Sequence, residues 1–269
     1  MRSLGWCNTS VLVRVLVAGA GGLIGTILCE GLGAEYSLRG IDLRRDRARN
    51  IARVDVRRAR GLHRPFAGVE AVIDLATGAA VDLPWERVEA DIRGRINVLE
   101  AARLHGVRRY IFASSNHVTG MYEVDEPYAS VVAGRYGELD PASVPHIDPA
   151  WPVRPDSPYA VGKACAELAC RHYAEQHAIS CICLRIGTVR RDDRPHAPRD
   201  FATLLTHADL VRLVDHALRA PLTLRHGIYY GVSANRWRFW DVGNAREELG
   251  FDPRDDAERF RHGNESGAT

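Results

Sequence analysis

Short apolar runs alternate with amphipathic stretches along most of the chain. The runs are rich in β-branched side chains and end at glycine or polar residues, which is typical of buried strands. The predicted strands are 13–17, 38–42, 71–75, 110–113, 181–186 and 227–230. The stretches between them have helical spacing, and the predicted helices are 22–32, 86–104, 158–176, 208–220 and 244–249. Strands that alternate with helices predict parallel βαβ units.

The pattern divides the chain into a large and a small part. Residues 13–186 predict an α/β fold, a Rossmann-type doubly wound parallel sheet that binds a dinucleotide at the carboxyl ends of its strands. Residues 187–269 are predicted to form a small C-terminal substrate-binding region. Residues 120–157 interrupt the rhythm and are too long for a structureless loop, so we predict a lid or a substrate wall there. Residues 190–199 are polar and predict a mobile loop.

Composition excludes several classes of protein. The 269 residues are 46% hydrophobic, which is enough for the core of one large domain. A net charge of +2 gives no reason to expect nucleic acid or an acidic membrane surface as a partner. The chain has no run long enough to span a membrane and no secretory leader, so we expect a cytoplasmic protein. The six cysteines lack zinc spacing, so we expect buried thiols and no metal site.

One compositional feature points to a specific site. The chain contains 36 lysine and arginine residues, and Lys163 is its only lysine. A lysine kept where arginine is the usual cation indicates a site that needs a compact ammonium rather than a planar guanidinium. Chance survival of one lysine is the alternative.

The clearest motif is GAGGLIG, which follows the first predicted strand. Its glycines recur at intervals of three residues: Gly19, Gly22 and Gly25. They allow a tight turn and close approach to a pyrophosphate, which the N-terminus of the next helix attracts. Asp42 ends the second strand, where a carboxylate binds the adenosine ribose and repels the extra phosphate of NADP. NAD is therefore the predicted cofactor, although the arginines at positions 44 and 45 soften that preference.

Further residues complete the predicted cofactor site. Asp55 ends a third short run, where its carboxylate can accept a hydrogen bond from the adenine amine, and a surface role is the alternative. The other predicted cofactor residues are Leu23, Ile24, Val56, Leu75, Ala76, Thr77, Tyr159 and Lys163.

A second motif, YAVGK, lies in the predicted helix 158–176. Its Tyr159 and Lys163 are four residues apart and therefore share one helical face. Free tyrosine has a pKa of about 10, too high for a base at neutral pH. A nearby ammonium and a positive nicotinamide favour the phenolate and lower that pKa. Ser114 and Ser115 follow the strand 110–113 at the ligand-facing edge of the sheet, where one hydroxyl can bond the reacting oxygen.

Together, GAGGLIG, NVLEAARLHG, IFASSNH and YAVGK resemble the extended short-chain dehydrogenases/reductases. More narrowly, FASSNH, RPDSPYAVGK, LRIG and YGVSAN resemble uronate dehydrogenase and related sugar dehydrogenases, over residues 13–260. Those enzymes oxidise the anomeric carbon of a uronic acid or sugar to a lactone, with NAD. The resemblance implies an NAD-dependent oxidoreductase with a small sugar or sugar-acid substrate, and it suggests a homodimer formed through helices.

The resemblance also implies roles for single residues. The catalytic set is Ser115 as the serine that bonds the reacting oxygen, Tyr159 as the base and Lys163 as its partner. The substrate residues are Ser115, Asn116, His117 and Arg185. Arg185 matches the arginine that binds the substrate carboxylate, and its bidentate geometry suits that role. A structural role for Arg185 and a packing role for His117 are the alternatives.

Three departures from the uronate enzymes leave the substrate open. The segment between His117 and Tyr159 is longer, Ala79 replaces a pocket serine, and Asp91 replaces an asparagine.

Three other functions fit the same motifs to different degrees. A ketone reductase of secondary metabolism would use the same residues with NAD(P)H in the opposite direction. A nucleotide-sugar epimerase or dehydratase is less favoured, because dehydratases place acidic residues directly after the catalytic hydroxyl residue. A redox-sensing binding protein without catalysis is least favoured, because Tyr159 and Lys163 are both present.

Overall fold

All strands in the described part of the protein lie parallel in one sheet. The computed structural model describes residues 12–78, 81–137 and 139–263. The strands are β1 (Arg14–Ala18), β2 (Ser37–Asp42), β3 (Ile51–Arg53), β4 (Ala71–Asp74), β5 (Arg109–Ser115), β6 (Ser180–Ile186) and β7 (His226–Gly231). Their order in the sheet is β3-β2-β1-β4-β5-β6-β7. The direction of winding reverses between β1 and β4, which opens a crevice at the carboxyl ends of the strands.

Helices cover both faces of this sheet. They are α1 (Leu23–Leu32), α2 (His63–Phe66), α3 (Trp85–Leu104), α4 (Tyr128–Val132), α5 (Pro158–Gln176), α6 (Asp200–Thr203) and α7 (His207–Arg219). The pair α1 and α7 packs on one face and the pair α3 and α5 on the other. The predicted doubly wound α/β fold is therefore confirmed.

Burial on both faces explains the continuous apolar runs. In β1, Val15 and Val17 pack into the core beneath α1 and α7, while Leu16 and Ala18 pack into the core on the opposite face. A strand buried on both sides needs apolar residues at every position, because successive side chains point to opposite faces. The short elements β3 and α2 have no periodic pattern of this kind, and they were not predicted.

The described residues of segment 120–157 form a packed structure rather than an open loop. They contain α4, which belongs to a third apolar core together with the C-terminal part of the chain. The core includes Tyr128, Val131, Ile147, Trp237, Phe239 and Trp240. The Ile147 N–H donates to the Phe239 carbonyl at 2.7 Å, and Ile147 pairs with Trp240 in a β-bridge. The segment is thereby anchored beside the carboxyl ends of β5 and β6.

The region after residue 186 shares the layers of the rest of the chain. Strand β7 pairs with β6, and α7 packs against α1. Residue 186 therefore does not separate two bodies, and the substrate-binding role of residues 187–269 stays a prediction.

The outer faces of α3 and α5 expose large apolar side chains. These are Trp85, Ile96, Leu104 and Leu168. The homodimer through helices remains a prediction. These exposed apolar side chains are compatible with it. Within the described residues, no helix is both long and apolar enough to cross a bilayer.

Candidate functional site

Two adjoining cavities follow the carboxyl ends of the strands. One of about 180 Å³ lies at β1 and β2, and one of about 610 Å³ extends from the same glycine turn to β5 and β6. Every predicted cofactor residue lines one of them: Gly19, Gly22, Leu23, Ile24, Gly25, Asp42, Asp55, Val56, Leu75, Ala76, Thr77, Tyr159 and Lys163. The structure therefore brings the two motifs into one crevice.

The glycine turn can bring its backbone close to a bound phosphate. Gly19 has φ +84°, and a Cβ there would lie 2.9 Å from the Ala76 nitrogen. At Gly25, in the first turn of α1, a Cβ would lie 2.4 Å from the Gly19 carbonyl oxygen. No side chain caps the N-terminus of α1, so its first N–H groups can bind an anion. This arrangement fits the pyrophosphate of a dinucleotide.

The Asp42 carboxylate is fixed at the end of β2. Its Oδ2 atom accepts a hydrogen bond from the Gly21 N–H at 3.0 Å, and Oδ1 accepts from the Arg44 N–H at 3.3 Å. The side chains of Arg44 and Arg45 are exposed. The carboxylate is thus positioned at the crevice, where it fits the ribose hydroxyls of the cofactor.

Asp55 is held by a neighbouring arginine. The Arg57 Nε and Nη2 atoms donate to its two carboxylate oxygens, each at 2.8 Å. These hydrogen bonds keep the pKa of Asp55 below its usual range. The predicted contact of Asp55 with adenine stays a prediction.

Lys163 joins α5 to the sheet. Its Nζ atom donates to the Ala113 carbonyl at 2.6 Å and to the Thr77 hydroxyl at 2.9 Å, and the residue is 4% exposed. Burial, and to a smaller extent the Arg95 cation, lowers the pKa of Lys163 to about 7. Arg95 lies 2.8 Å from the buried Asp74 carboxylate, whose charge acts in the opposite direction. The charge state of Lys163 therefore depends first on burial and only then on this buried pair, whose two charges act in opposite directions.

The Tyr159 phenol lies beside Ser115 at the end of β5. Burial raises the pKa of Tyr159 above its ordinary value, and the hydrogen bond with Ser115 opposes that effect. The Lys163 Nζ atom is 5.4 Å from the centre of the Tyr159 ring. The motif predicts a lowered pKa, but burial outweighs the Ser115 hydrogen bond in this arrangement. These side chains alone do not make Tyr159 a base at neutral pH.

Asn116 and His117 line the same cavity. The Asn116 Nδ2 atom is buried and has no hydrogen-bond partner among the described residues. The His117 Nδ1 atom is 2.6 Å from the Asp156 carboxylate, and the His117 ring packs edge-on against Tyr159 with their centres 6.2 Å apart. An amide without an internal hydrogen bond from its nitrogen and a fixed imidazole therefore lie in the cavity wall next to the phenol.

The prediction for Arg185 needs correction. Arg185 is 1% exposed, and its Nε and Nη2 atoms donate to the Glu167 carboxylate at 3.0 and 2.9 Å. The β5–β6 register places it opposite Ser114, whose hydroxyl also bonds Glu167, on the face that α5 covers. Burial lowers the pKa of Arg185, but Glu167 and Tyr230 together raise it above its usual range, so the guanidinium stays charged and paired. The alternating faces of β6 turn Arg185 away from the crevice, and its role is structural.

Several residues of the crevice were not predicted from the sequence. Thr188, Arg190 and Arg199 line the larger cavity from the segment after β6. Segment 190–199 was predicted as a mobile loop, yet Arg199 forms a bidentate ion pair with Glu123. The rule that ligands bind past strand carboxyl ends could have indicated Thr188, whereas the pairing with Glu123 spans too many residues to be read from spacing.

Of the two single-residue departures from the uronate enzymes, Asp91 and Ala79, only Asp91 lies in the described part of the protein. Asp91 is buried, accepts the Gly78 N–H at 3.1 Å and pairs with Arg87 at 3.2 Å. Ala79 lies outside the described residues. Among the described residues, no group of three or more histidine, cysteine or acidic side chains could hold a metal ion.

Comparison with known proteins gives consistent matches. The model of the NAD dependent epimerase/dehydratase family matches residues 15–206. Uronate dehydrogenase of Pseudomonas syringae pv. tomato is 34% identical over 92% of this chain and 84% of its own. NAD-dependent glucose-6-phosphate dehydrogenase of Haloferax volcanii is 30% identical over 91% of this chain and 95% of its own. These matches confirm the resemblance seen in the motifs.

Solved structures agree with the sequence matches. A mutant uronate dehydrogenase from Agrobacterium tumefaciens complexed with NAD is 29% identical. It has a TM-score of 0.78 and covers 96% of this chain and 90% of its own.

The position of Asp42 predicts how the crevice chooses between cofactors. Asp42→Asn should weaken NADH binding about tenfold and improve NADPH relative to NADH, because the amide no longer repels the extra phosphate. Fluorescence titration with each cofactor measures both dissociation constants, and Asp46→Asn, at a half-buried position where the carboxylate pairs with Arg49, is the control. An unchanged ratio of the two constants would show that Asp42 does not select the cofactor.

Proposed function

Because the chain belongs to the NAD dependent epimerase/dehydratase family, we propose that it oxidises the anomeric hydroxyl of a sugar or uronic acid to a lactone. NAD is the cofactor and Tyr159 is the general base. The observation that carries this proposal is the convergence of Tyr159, Ser115 and the free Asn116 amide at the end of β5, next to the glycine turn.

The proposed cofactor site consists of backbone N–H groups and two charged side chains, Asp42 and Lys163. The turn at Gly19 to Gly25 and the first N–H groups of α1 would hold the pyrophosphate, and Asp42 would hold the adenosine ribose. Lys163 would hold the nicotinamide ribose. When bound, NAD supplies the hydride acceptor and a positive nicotinamide ring, which favours the Tyr159 phenolate.

The chemistry assigned to the protein is the movement of one proton. The Tyr159 phenolate accepts the proton of the anomeric hydroxyl while the C–H bond of the same carbon breaks and its electron pair leaves as hydride. The carbon–oxygen bond becomes the carbonyl of the lactone. Ser115 bonds the reacting oxygen and keeps it beside the phenol. The buried Lys163 ammonium stabilises the negative phenolate across a low-dielectric site.

The polar side chains around Tyr159 suit a polyhydroxylated substrate. The Asn116 amide can donate to a ring hydroxyl without first breaking an internal hydrogen bond. His117 is held by Asp156, so its imidazole presents a fixed edge next to Tyr159. A sugar hydroxyl both donates and accepts, and this set offers both kinds of partner.

Loss of the phenolic hydroxyl tests the proposed base. Wild-type protein should reduce NAD when given an aldose or uronic acid and should form a lactone. Tyr159→Phe should lower kcat by roughly 10²–10⁴-fold, the usual worth of a general base, and leave NADH affinity within about twofold. The matched control is Tyr173→Phe, on the same helix but bonded to Glu100. Turnover of Tyr159→Phe within a few-fold of wild type would contradict the assignment.

The pH dependence of turnover tests Ser115. Its hydrogen bond lowers the pKa of Tyr159, so Ser115→Ala should raise that pKa. Because the base must be deprotonated, the rising limb of kcat against pH should move to higher pH. Ser114→Ala should leave the limb in place, because Ser114 bonds Glu167 on the other face of β5. A limb that does not move in Ser115→Ala would show that Ser115 does not bond the phenolate.

A further inference from the structure

We propose that Glu123, from the segment 120–157, makes this crevice select an aldose without an ionised group over the corresponding uronic acid or sugar phosphate. The inference rests on the proposed function and names the substrate class within it. It assigns to the segment a role that neither the motifs nor the comparisons provide.

Arg199 carries the argument because it is a guanidinium that lines the substrate half of the cavity. Its side chain is 25% exposed. Its Nε and Nη2 atoms donate to the Glu123 carboxylate at 2.6 and 2.7 Å, and Nη1 donates to the Thr188 hydroxyl at 3.3 Å. The Nε–Nη2 edge of the guanidinium, which can bind a carboxylate with two parallel hydrogen bonds, is therefore occupied by the protein's own carboxylate, and Nη1 is engaged by Thr188.

Glu123 is built into the fold at this position. It lies in the 3₁₀-helical segment Asn116–Val124 that directly follows β5, and its side chain is 13% exposed. Arg199 also lies above the buried Trp240 ring, 6.0 Å from its centre. Both partners are thus held before any substrate arrives, and a substrate carboxylate would have to compete with a preorganised ion pair.

The other cations of this half of the cavity are also neutralised. Arg190 pairs with the Asp200 carboxylate at 2.9 Å, and the Asp156 carboxylate, 2.6 Å from the His117 ring, adds a negative charge beside it. Lys163 is the remaining cation of the cavity, and it is buried and bonded to Thr77 and Ala113. Apart from the buried Lys163, a further carboxylate or phosphate would lose its hydration and meet only arginines of this cavity that already pair with a carboxylate, among the described residues.

Neutral hydroxyls meet no such penalty. The remaining N–H groups of Arg199 can donate to a hydroxyl, and the paired carboxylates keep lone pairs that can accept from one. Arg–carboxylate pairs of this kind recognise a sugar through hydrogen bonds without requiring net charge on it. The crevice therefore suits a substrate that carries hydroxyls where a uronic acid carries its carboxylate.

Three substrates that differ only at C6 test the inference: glucose, glucuronate and glucose 6-phosphate. Wild-type kcat/KM, measured from the absorbance of the reduced cofactor, should be highest for glucose. Glu123→Gln keeps the shape but removes the charge, so the ratio of kcat/KM for glucuronate to that for glucose should rise about ten- to hundredfold, the range for a charge-assisted hydrogen bond. Glu123→Gln/Arg199→Gln should abolish the gain.

The control is Glu126→Gln, an exposed carboxylate three residues further along that pairs with Arg135. It should leave the ratio unchanged. The galactose and galacturonate pair repeats the test with the other common C4 configuration.

The outcomes separate the inference from the proposed function. Wild type that prefers glucuronate, with Glu123→Gln lowering that activity, would overturn the inference, because Glu123 would then only position Arg199 for a substrate carboxylate. The proposed function would stand in that case. Wild type that oxidises none of these compounds would overturn both.

Discussion

The Lys163 ammonium holds the site together, because it bonds two separate parts of the sheet at the point where α5 crosses it. Its hydrogen bonds to the Ala113 carbonyl and the Thr77 hydroxyl fix the helix that carries Tyr159 against β5 and against the turn after β4. A guanidinium is wider and planar and cannot make both contacts from the same position. This geometry explains why the only lysine of an arginine-rich chain lies here.

Buried charge governs the rest of the crevice. Burial raises the pKa of Tyr159 and lowers that of Lys163 to about 7, so neither side chain is in its most useful charge state without further help. The Ser115 hydroxyl opposes the effect of burial on the pKa of Tyr159. The Asp74 carboxylate opposes the effect on the pKa of Lys163, whereas its partner Arg95 acts with burial. At the substrate end, the Arg199–Glu123 pair compensates charge instead of leaving it free for a ligand. The chain is thus an NAD-dependent dehydrogenase. Its crevice carries charged side chains at the cofactor end, whereas at the substrate end the charge of Arg199 is offset by Glu123.

Local patterns made most of the fold and the cofactor half of the site predictable. The glycine turn, Asp42 and the Tyr159–Lys163 spacing are each set within one strand–helix unit, so sequence distance translates directly into geometry. Arg185 was misassigned because a position at a strand end does not reveal which face the side chain takes, and α5 covers that face. Glu123 and Arg199 could not be paired from sequence, because their contact depends on how residues 120–157 pack against the C-terminal core. Substrate selectivity therefore resides in the least predictable contacts.

The most direct test of the account follows the hydrogen that leaves the sugar. Glucose labelled with deuterium at C1 would be incubated with the protein and NAD, and mass spectrometry would locate the label. The account predicts that deuterium appears in the reduced cofactor and that the product is an unlabelled lactone, whereas label at C3 or C4 stays in the product. Reduced cofactor that carries label from another carbon, or a C1 label that stays in the sugar while cofactor is reduced, would contradict it.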